Sequence, residues 1–485
     1  IVSYVMLFYA VANSVKTTAQ IKKIFKGIAV ITSVLIAAGL CAFFVPRSWS
    51  ETLMPGGGVF AALLLPGIVI LEACLVFGAF PPKYARLLAV PLIGAVFYAF
   101  FSHSNALILA LLLTNVILLI MLYSMKSVFP NRKAGIIVFI VILAGMLVYS
   151  VKSEFSAGSA ANERTAVLKS AAAMFAARPV TGQGLGAFEN VYPRYKFPAD
   201  GLARFGTEAR SARCEYFQIA AEAGIIGIIL VLWFVFKLSR LKTGNASKET
   251  NKYFIIAVLG VHSMLIYAWF DSNLHMAACA AWFAVLLGIT VSAAGGAAGA
   301  KAKRQQNPAA YLAALTAVLC VIMFLNVLAE YFHRKVESLG LKNKLAEKYF
   351  QAAISLNPLN AGYFNSFGVF KLENLLAKKI VSSTGAPDED FNKAVLLDGI
   401  NGYYFRNLAR YYAFLGVKTE KVELLNAAID NYSKAADAYP CEPFIRLEFA
   451  RFLMKCEKYF FAERILKETL KLEPNFADAH RVLAQ

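Results

Sequence analysis

Residues 59–80 read VFAALLLPGIVILEACLVFGAF, an apolar run interrupted by one charge, Glu72. A helix needs about 20 apolar residues to cross a bilayer, and inside the hydrocarbon its backbone amides can be satisfied only within the helix. The run therefore predicts a membrane span and decides the fold class. Comparable runs lie on both sides, at residues 1–12, 27–45, 87–101, 106–124 and 134–151, then at 224–236, 253–270, 276–291 and 310–328. Two of them, 87–101 and 224–236, are short enough to need their flanks. The chain opens at Ile1, inside an apolar run, which predicts further spans ahead of it.

Composition agrees. Of 485 residues, 59% are hydrophobic and 16% charged, against roughly 25% charged in soluble chains. The apolar excess ends near Leu328, so residues 1–329 are expected to form a transmembrane domain and residues 330–485 a soluble one. The net charge of +19 is carried largely by short segments between apolar blocks. That is the pattern of membrane topology rather than of a nucleic-acid surface.

The same charges assign sides. Lys16, Lys22, Lys23 and Lys26 follow the first run, Lys83 and Arg86 the third, and Lys126, Arg132 and Lys133 the fifth. Lys237, Arg240, Lys242, Lys248 and Lys252 follow the seventh, and Lys301, Lys303 and Arg304 the ninth. The alternate short connections are nearly free of Lys and Arg. The positive-inside rule puts the basic set in the cytoplasm. The long loop 153–223 and everything after Leu328 then lie outside, which is the periplasm if the cell has two membranes.

The C-terminal region repeats. Ala428, Tyr432, Ala435 and Pro440 recur as Ala462, Ile465 and Pro474, and Ala346, Phe350, Ala353 and Pro358 give an earlier copy. Small residues where paired helices touch, closed by Pro at a period of 34 residues, are the signature of a TPR solenoid. Phe364, Phe367 and Gly368 open a further unit, and Phe405, Leu408 and Tyr412 a later one. Three to four units are expected, with insertions at 382–390 and 418–424. Such arrays bind more readily than they catalyse. Cys441 and Cys456 flank one expected helix at about 22 Å, too far for a disulfide.

The loop holds Arg178-Pro179-Val180-Thr181-Gly182-Gln183-Gly184-Leu185-Gly186, then Ala212-Arg213-Cys214-Glu215-Tyr216-Phe217-Gln218, then Glu222 with Gly224 and Gly227. Gly182, Gly184 and Gly186 allow tight turns and close approach of backbone to a ligand. The spacing is wrong for a dinucleotide fingerprint. Arg164, Arg178, Arg210 and Arg213 offer guanidinium groups suited to phosphate oxygens. The loop also carries Glu163, Glu189, Glu208, Glu215 and Glu222, so a solvated mixed-charge loop is an equal reading of the residues alone. No metal-ligand spacing occurs.

This order of motifs, with Asp271, Leu274 and His275 in a turn between two later spans, resembles the O-antigen ligase and polymerase family over residues 106–291. The resemblance implies a GT-C-like bundle followed by a TPR array, in a bacterial inner membrane. It implies an inverting glycosyltransferase working without metal, nucleotide sugar or other cofactor. The implied donor is an undecaprenyl-pyrophosphate-linked glycan, and the acceptor a lipid, protein or glycan on the periplasmic face. Arginines would hold the pyrophosphate and a His would serve the acceptor hydroxyl.

The sequence departs from that pattern at two points. Arg213 stands at the family's His position, with Cys214 beside it, and Asn105 stands where an Arg is usual. Arg stays protonated and cannot act as a base. Two readings follow. In one, His275 or His103 supplies the base, with Arg213 and Arg210 as the phosphate clamp and Arg178 and Arg164 nearby. In the other, catalysis is lost and the protein binds lipid-linked glycan or scaffolds an envelope complex through its repeats. A transporter would need polar residues along several spans, and apart from Glu72 the runs are bare. Glu72 itself reads as a partner in an interhelical hydrogen bond, and Asp271 as a cap for residues 276–291 or a support for His275.

Overall fold

The computed structural model describes residues 2–42, 57–102, 104–124, 158–197, 209–243, 247–295, 308–339, 344–377 and 386–485. All regular elements among them are helical. The chain divides into two compact units: Ile1–Arg164 with Arg178–Gly182 and Ser211–Leu312, and Thr165–Ala177 with Gln183–Arg210 and Ala313–Gln485.

The first unit opens with α1 (Val2–Ser14), α2 (Thr18–Ala42), α3 (Gly57–Val76), α4 (Pro82–Phe101) and α5 (Asn105–Ser124). Helix α6 (Gly158–Ala177), which passes into the second unit at Thr165, and the single turn α7 (Phe188–Val191) of that unit precede α8 (Glu215–Ser239), α9 (Lys248–Tyr267) and α10 (Ala277–Ala294) of the first. Helices α2, α8 and α10 are each long and apolar enough to cross a membrane, and shorter apolar helices lie at Phe60–Val76, Leu87–Ala99 and Asn105–Met121. This is a polytopic helical bundle, as residues 59–80 predict. The run at 134–151 lies outside the described residues.

Helix α9 packs on α3, α5 and α10, while α2 packs on α3 and α4. Small residues allow the close crossings: a Cβ at Gly67 of α3 would fall 2.2 Å from the Thr32 hydroxyl of α2. Without a hydrophobic driving force between helices in lipid, such tight crossings hold a bundle together. Helix α8 shows the other side of that physics. It is the most apolar of the three long helices and the least buried within the structure. Ile226, Leu230, Trp233 and Phe236 stay exposed on it, an outward face suited to lipid. The carboxyl of Glu72 on α3 is hydrogen-bonded by the Asn115 amide of α5, which is the interhelical bond expected of it.

Helix α8 extends the short run at 224–236 into its flanks. The apolar run begins at Gly224, but the helix begins nine residues earlier, at Glu215. Gly224 is a kink within it, at φ 63° and ψ −154°.

The second unit contains the repeats. Helix α11 (Pro308–Leu339) runs without a break through residue 329. Then come α12 (Lys344–Leu356), α13 (Ala361–Leu376), α14 (Pro387–Leu397), α15 (Gly402–Thr419), α16 (Val422–Ala438), α17 (Pro443–Lys455), α18 (Tyr459–Leu472) and α19 (Ala477–Leu483). Helix α13 pairs with α14, α15 with α16 and α17 with α18, and α12 packs on α13, while Phe332 of α11 stacks on Tyr349 of α12; α19 closes this TPR-like solenoid. Small residues sit at the pair contacts: Ala346, Ala353, Ala428 and Ala435 are wholly buried. A Cβ at Gly368 would meet the Phe391 ring at 2.7 Å. The insertion expected at 418–424 is taken up in longer helices: α15 runs to Thr419, Glu420 turns the chain in the left-handed region at φ 56°, and α16 opens at Val422.

Part of the loop belongs to this unit. Phe188 and Tyr192 are buried. Lys196 Nζ lies 3.3 Å from the Glu442 carboxylate, with both side chains almost fully buried. Tyr439 Oη donates to the Asn190 carbonyl at 3.1 Å, and Asn190 Nδ2 donates to Asp398 at 3.3 Å.

Candidate functional site

The first turn of α8 and the turn between α9 and α10 meet in the first unit. The chain enters α8 through Arg213, whose φ of 50° is left-handed, and through the extended Cys214. The Glu215 amide then donates to the Ala268 carbonyl at 2.8 Å. That reversal turns the Glu215 side chain inward, where only 6% of it is exposed. Polar residues at 215, 218 and 222 fall on one face of the helix, at i, i+3 and i+7.

His275 sits in a short 3-10 turn, Asn273–His275, between α9 and α10. The turn is held from below by Asn273, which is buried and donates to the Met264 carbonyl at 3.3 Å. The Asp271 carboxylate accepts the Ser272 amide at 2.8 Å. It does not cap the next helix, whose N-cap, Met276, has no side-chain cap bond.

The imidazole joins the two elements. Its Nδ1 lies 2.9 Å from Glu215 Oε1, with 43% of the His275 side chain exposed. Its Nε2 lies 3.2 Å from Gln218 Nε2. The orientation of Gln218 is determined by its other partners. Its carbonyl accepts the Ala212 amide at 3.0 Å and the Ser272 hydroxyl at 3.3 Å. Its amide nitrogen therefore donates, to Glu222 Oε1 at 3.2 Å and to His275 Nε2. In this arrangement His275 carries its proton on Nδ1, donated to Glu215, and presents Nε2 as an acceptor. The hydrogen bond that His275 donates to Glu215 raises the His275 pKa above its ordinary value, against a smaller opposing effect of burial. A buried carboxylate that orients an imidazole and favours its charged form is the arrangement of a general base with its positioning partner.

The arginines divide into different tasks. Arg164 Nη2 donates to the carbonyls of Phe270 at 2.9 Å, Trp269 at 3.3 Å and Arg213 at 3.5 Å. It is a strut between three backbone segments. Arg213 pairs with Glu163 at 3.1 Å, with 45% of its side chain exposed. Arg178 is exposed beside the glycine turn. Arg210 belongs to the second unit, where it is 91% exposed and lies 3.5 Å from Glu189. His103 lies outside the described residues.

The glycines also separate. Gly182, at φ 68°, packs its backbone on the α8 kink, and a Cβ there would lie 2.3 Å from the Glu222 carbonyl. The Ile225 amide donates back to the Pro179 carbonyl at 2.8 Å. Gly182 thus approaches the protein's own chain. Gly184 and Gly186 also have positive φ, but a Cβ on either would meet no atom closer than 3.7 Å.

The sequence names His275 and the arginines as candidates and gives no role to Glu215, Gln218, Glu222 or Ser272. The helical spacing of the three α8 residues was the available signal. Among the described residues no cluster of three or more His, Cys, Asp and Glu side chains is arranged to hold a metal ion.

The chain is a polytopic helical membrane protein with a His–carboxylate pair where the first turn of α8 meets the turn that follows α9. Residues 87–232 match the family model of a domain described as O-antigen ligase. Membrane glycan transfer is the function class that goes with that domain. No curated protein matches the chain. Among solved structures, the crystal structure of the yeast Tom70 aligns over 94% of each chain at 12% identity, with a TM-score of 0.23. That score is too low to support an argument about the fold.

Proposed function

We propose that the first unit is an inverting glycosyltransferase acting on a lipid-pyrophosphate-linked glycan, with His275 as general base. The observation that carries this reading is the Glu215–His275–Gln218 chain, at 2.9 Å and 3.2 Å. The acceptor hydroxyl takes the place of the Gln218 amide at Nε2. Its oxygen bonds to the anomeric carbon, its proton passes to His275, and the bond from that carbon to the pyrophosphate oxygen breaks. The lipid pyrophosphate leaves with the bonding electrons. Arg213 exchanges Glu163 for a phosphate oxygen, and the exposed Arg178 supplies a second charge. Cations aimed at the leaving group stabilise charge as it develops.

The basic segments between spans support a periplasmic placement of the loop and the repeats. An undecaprenyl carrier fits that face, with a lipid, protein or glycan as acceptor. The test is a transfer assay in membranes, with undecaprenyl-pyrophosphate glycan as donor, comparing wild type with His275→Ala, Glu215→Gln, Arg213→Ala and Arg210→Ala. Transfer by wild type and its loss in His275→Ala supports the reading. Wild-type protein inert toward lipid, protein and glycan acceptors overturns it in favour of a binding or scaffolding role. Transfer that survives His275→Ala overturns the assignment of the base.

A further inference from the structure

Helices α13, α15 and α17 line one face of the repeat solenoid, and a groove of about 450 Å³ opens on it. That volume falls within the usual range for a ligand site, roughly 300–1,000 Å³. Its floor is apolar, with Leu372, Phe414 and Phe452 among the lining residues. Leu376 and Val417, also in the lining, keep 43% and 54% of their surface exposed. With the floor they form one continuous apolar patch, and a contiguous patch rimmed by polar residues marks an interaction site.

The rim is cationic. Lys418, Arg451 and Lys455 line the groove and are exposed. Among the described residues none of the three has a carboxylate partner. Lys418 Nζ lies only over the Phe414 ring, 5.7 Å from its centre. The one acid in the lining, Glu448, is already engaged. It takes Arg406 at 2.6 Å, Arg410 at 3.3 Å and the Tyr432 hydroxyl at 3.1 Å. The groove therefore presents an excess of positive charge around an apolar floor.

We infer that this groove binds an acidic segment of a partner protein in which carboxylates alternate with large apolar side chains. Carboxylates meet Lys418, Arg451 and Lys455, and apolar side chains cover Leu376, Val417 and Phe414. A polyanionic glycan would satisfy the cations and leave the floor wet. A neutral apolar peptide would cover the floor and leave the cations unmatched. The inference is independent of the glycan-transfer reading, since none of these residues belongs to the His275 cluster.

The test uses the full chain in detergent and a short fluorescein-labelled peptide of Asp, Glu, Leu and Phe, followed by anisotropy. Saturable binding is expected. It should weaken by about tenfold or more in a Lys418→Glu/Lys455→Glu variant, because like charges would then face each other. Both sites are exposed, so the variant should melt as wild type does. An Arg213→Ala variant should bind the peptide unchanged. Three results overturn the inference: no saturable binding, equal binding of the Asn/Gln version of the peptide, or dextran sulfate binding at least as tightly with the same sensitivity to charge reversal.

Discussion

Gly182 and Gly224 touch through their backbones: a Cβ built on Gly224 would lie 2.7 Å from the Gly182 nitrogen and 2.4 Å from the Val180 carbonyl oxygen. Both have positive φ, 68° and 63°. The glycine turn of the loop and the kink of α8 are therefore two halves of one clasp. The clasp orients the α8 turn that carries Glu215, Gln218 and Glu222.

Gly224→Ala is expected to break the clasp. The φ and ψ of Gly224 lie where almost only glycine is found, and the added Cβ overlaps a carbonyl oxygen. A cost of about 3 kcal/mol follows, seen as a lower melting temperature in detergent and faster proteolysis of the loop. Gly186→Ala is the control. It meets no atom within 4 Å, so only the left-handed backbone is penalised, by about 1 kcal/mol. Equal losses in the two variants would refute the clasp.

Glu215→Gln is expected to move the pH dependence of transfer. In wild type the Glu215 hydrogen bond raises the His275 pKa, and the Glu222 charge adds to the shift. The base form therefore accumulates only above the ordinary imidazole value, and activity rises late with pH. Removing the charge should shift that acidic limb to lower pH while kcat falls. The stability linkage has the matching sign. A raised folded pKa stabilises fully below the unfolded value, about 6.5, and that contribution fades as pH rises through the folded pKa. A limb that does not move would show that His275 is not the titrating group.

Arg164→Ala is expected to loosen the His275 turn rather than to weaken donor binding directly. Its guanidinium meets three backbone carbonyls, the nearest at 2.9 Å. Losing them costs about 1–3 kcal/mol and should speed amide hydrogen exchange over residues 269–275. Arg164→Lys, with a single ammonium in place of the fork, should restore only part of the protection. Unchanged exchange together with a raised KM for donor would assign Arg164 to the pyrophosphate instead.

Lys196 and Glu442 form a buried ion pair, 3% and 5% exposed. Lys196→Met leaves a carboxylate buried without its cation and should cost about 3–5 kcal/mol. Lys196→Met with Glu442→Leu should recover most of that loss. The melting temperatures of the two variants measure it. A double variant as unstable as the single one would mean that the pair positions residues 188–197 by more than its charge.

Much of the architecture was legible in the chain itself. The run at 59–80 and its neighbours predicted a helical bundle, because the bilayer penalises any other backbone. Alanines spaced through 346–462, with Pro440 and Pro474 one period apart, predicted paired helices, because close crossings exclude larger side chains. These features depend on local composition and periodicity. His275 was a candidate base, alongside His103, only through the resemblance to a known family.

What the tertiary structure alone decided concerns which distant groups meet. Glu215 and His275 are far apart in sequence, and nothing in either segment marks the other as its partner. Arg164, which reads as a phosphate ligand by type, spends its donors on backbone carbonyls. Gly182, which reads as a ligand turn, packs on Gly224. Residues 188–197, read as part of an open loop, pack in one unit with the repeats. Each of these outcomes follows from distance and burial in the folded chain. A residue's type specifies what it can bind, and the folded chain determines which of those partners it meets.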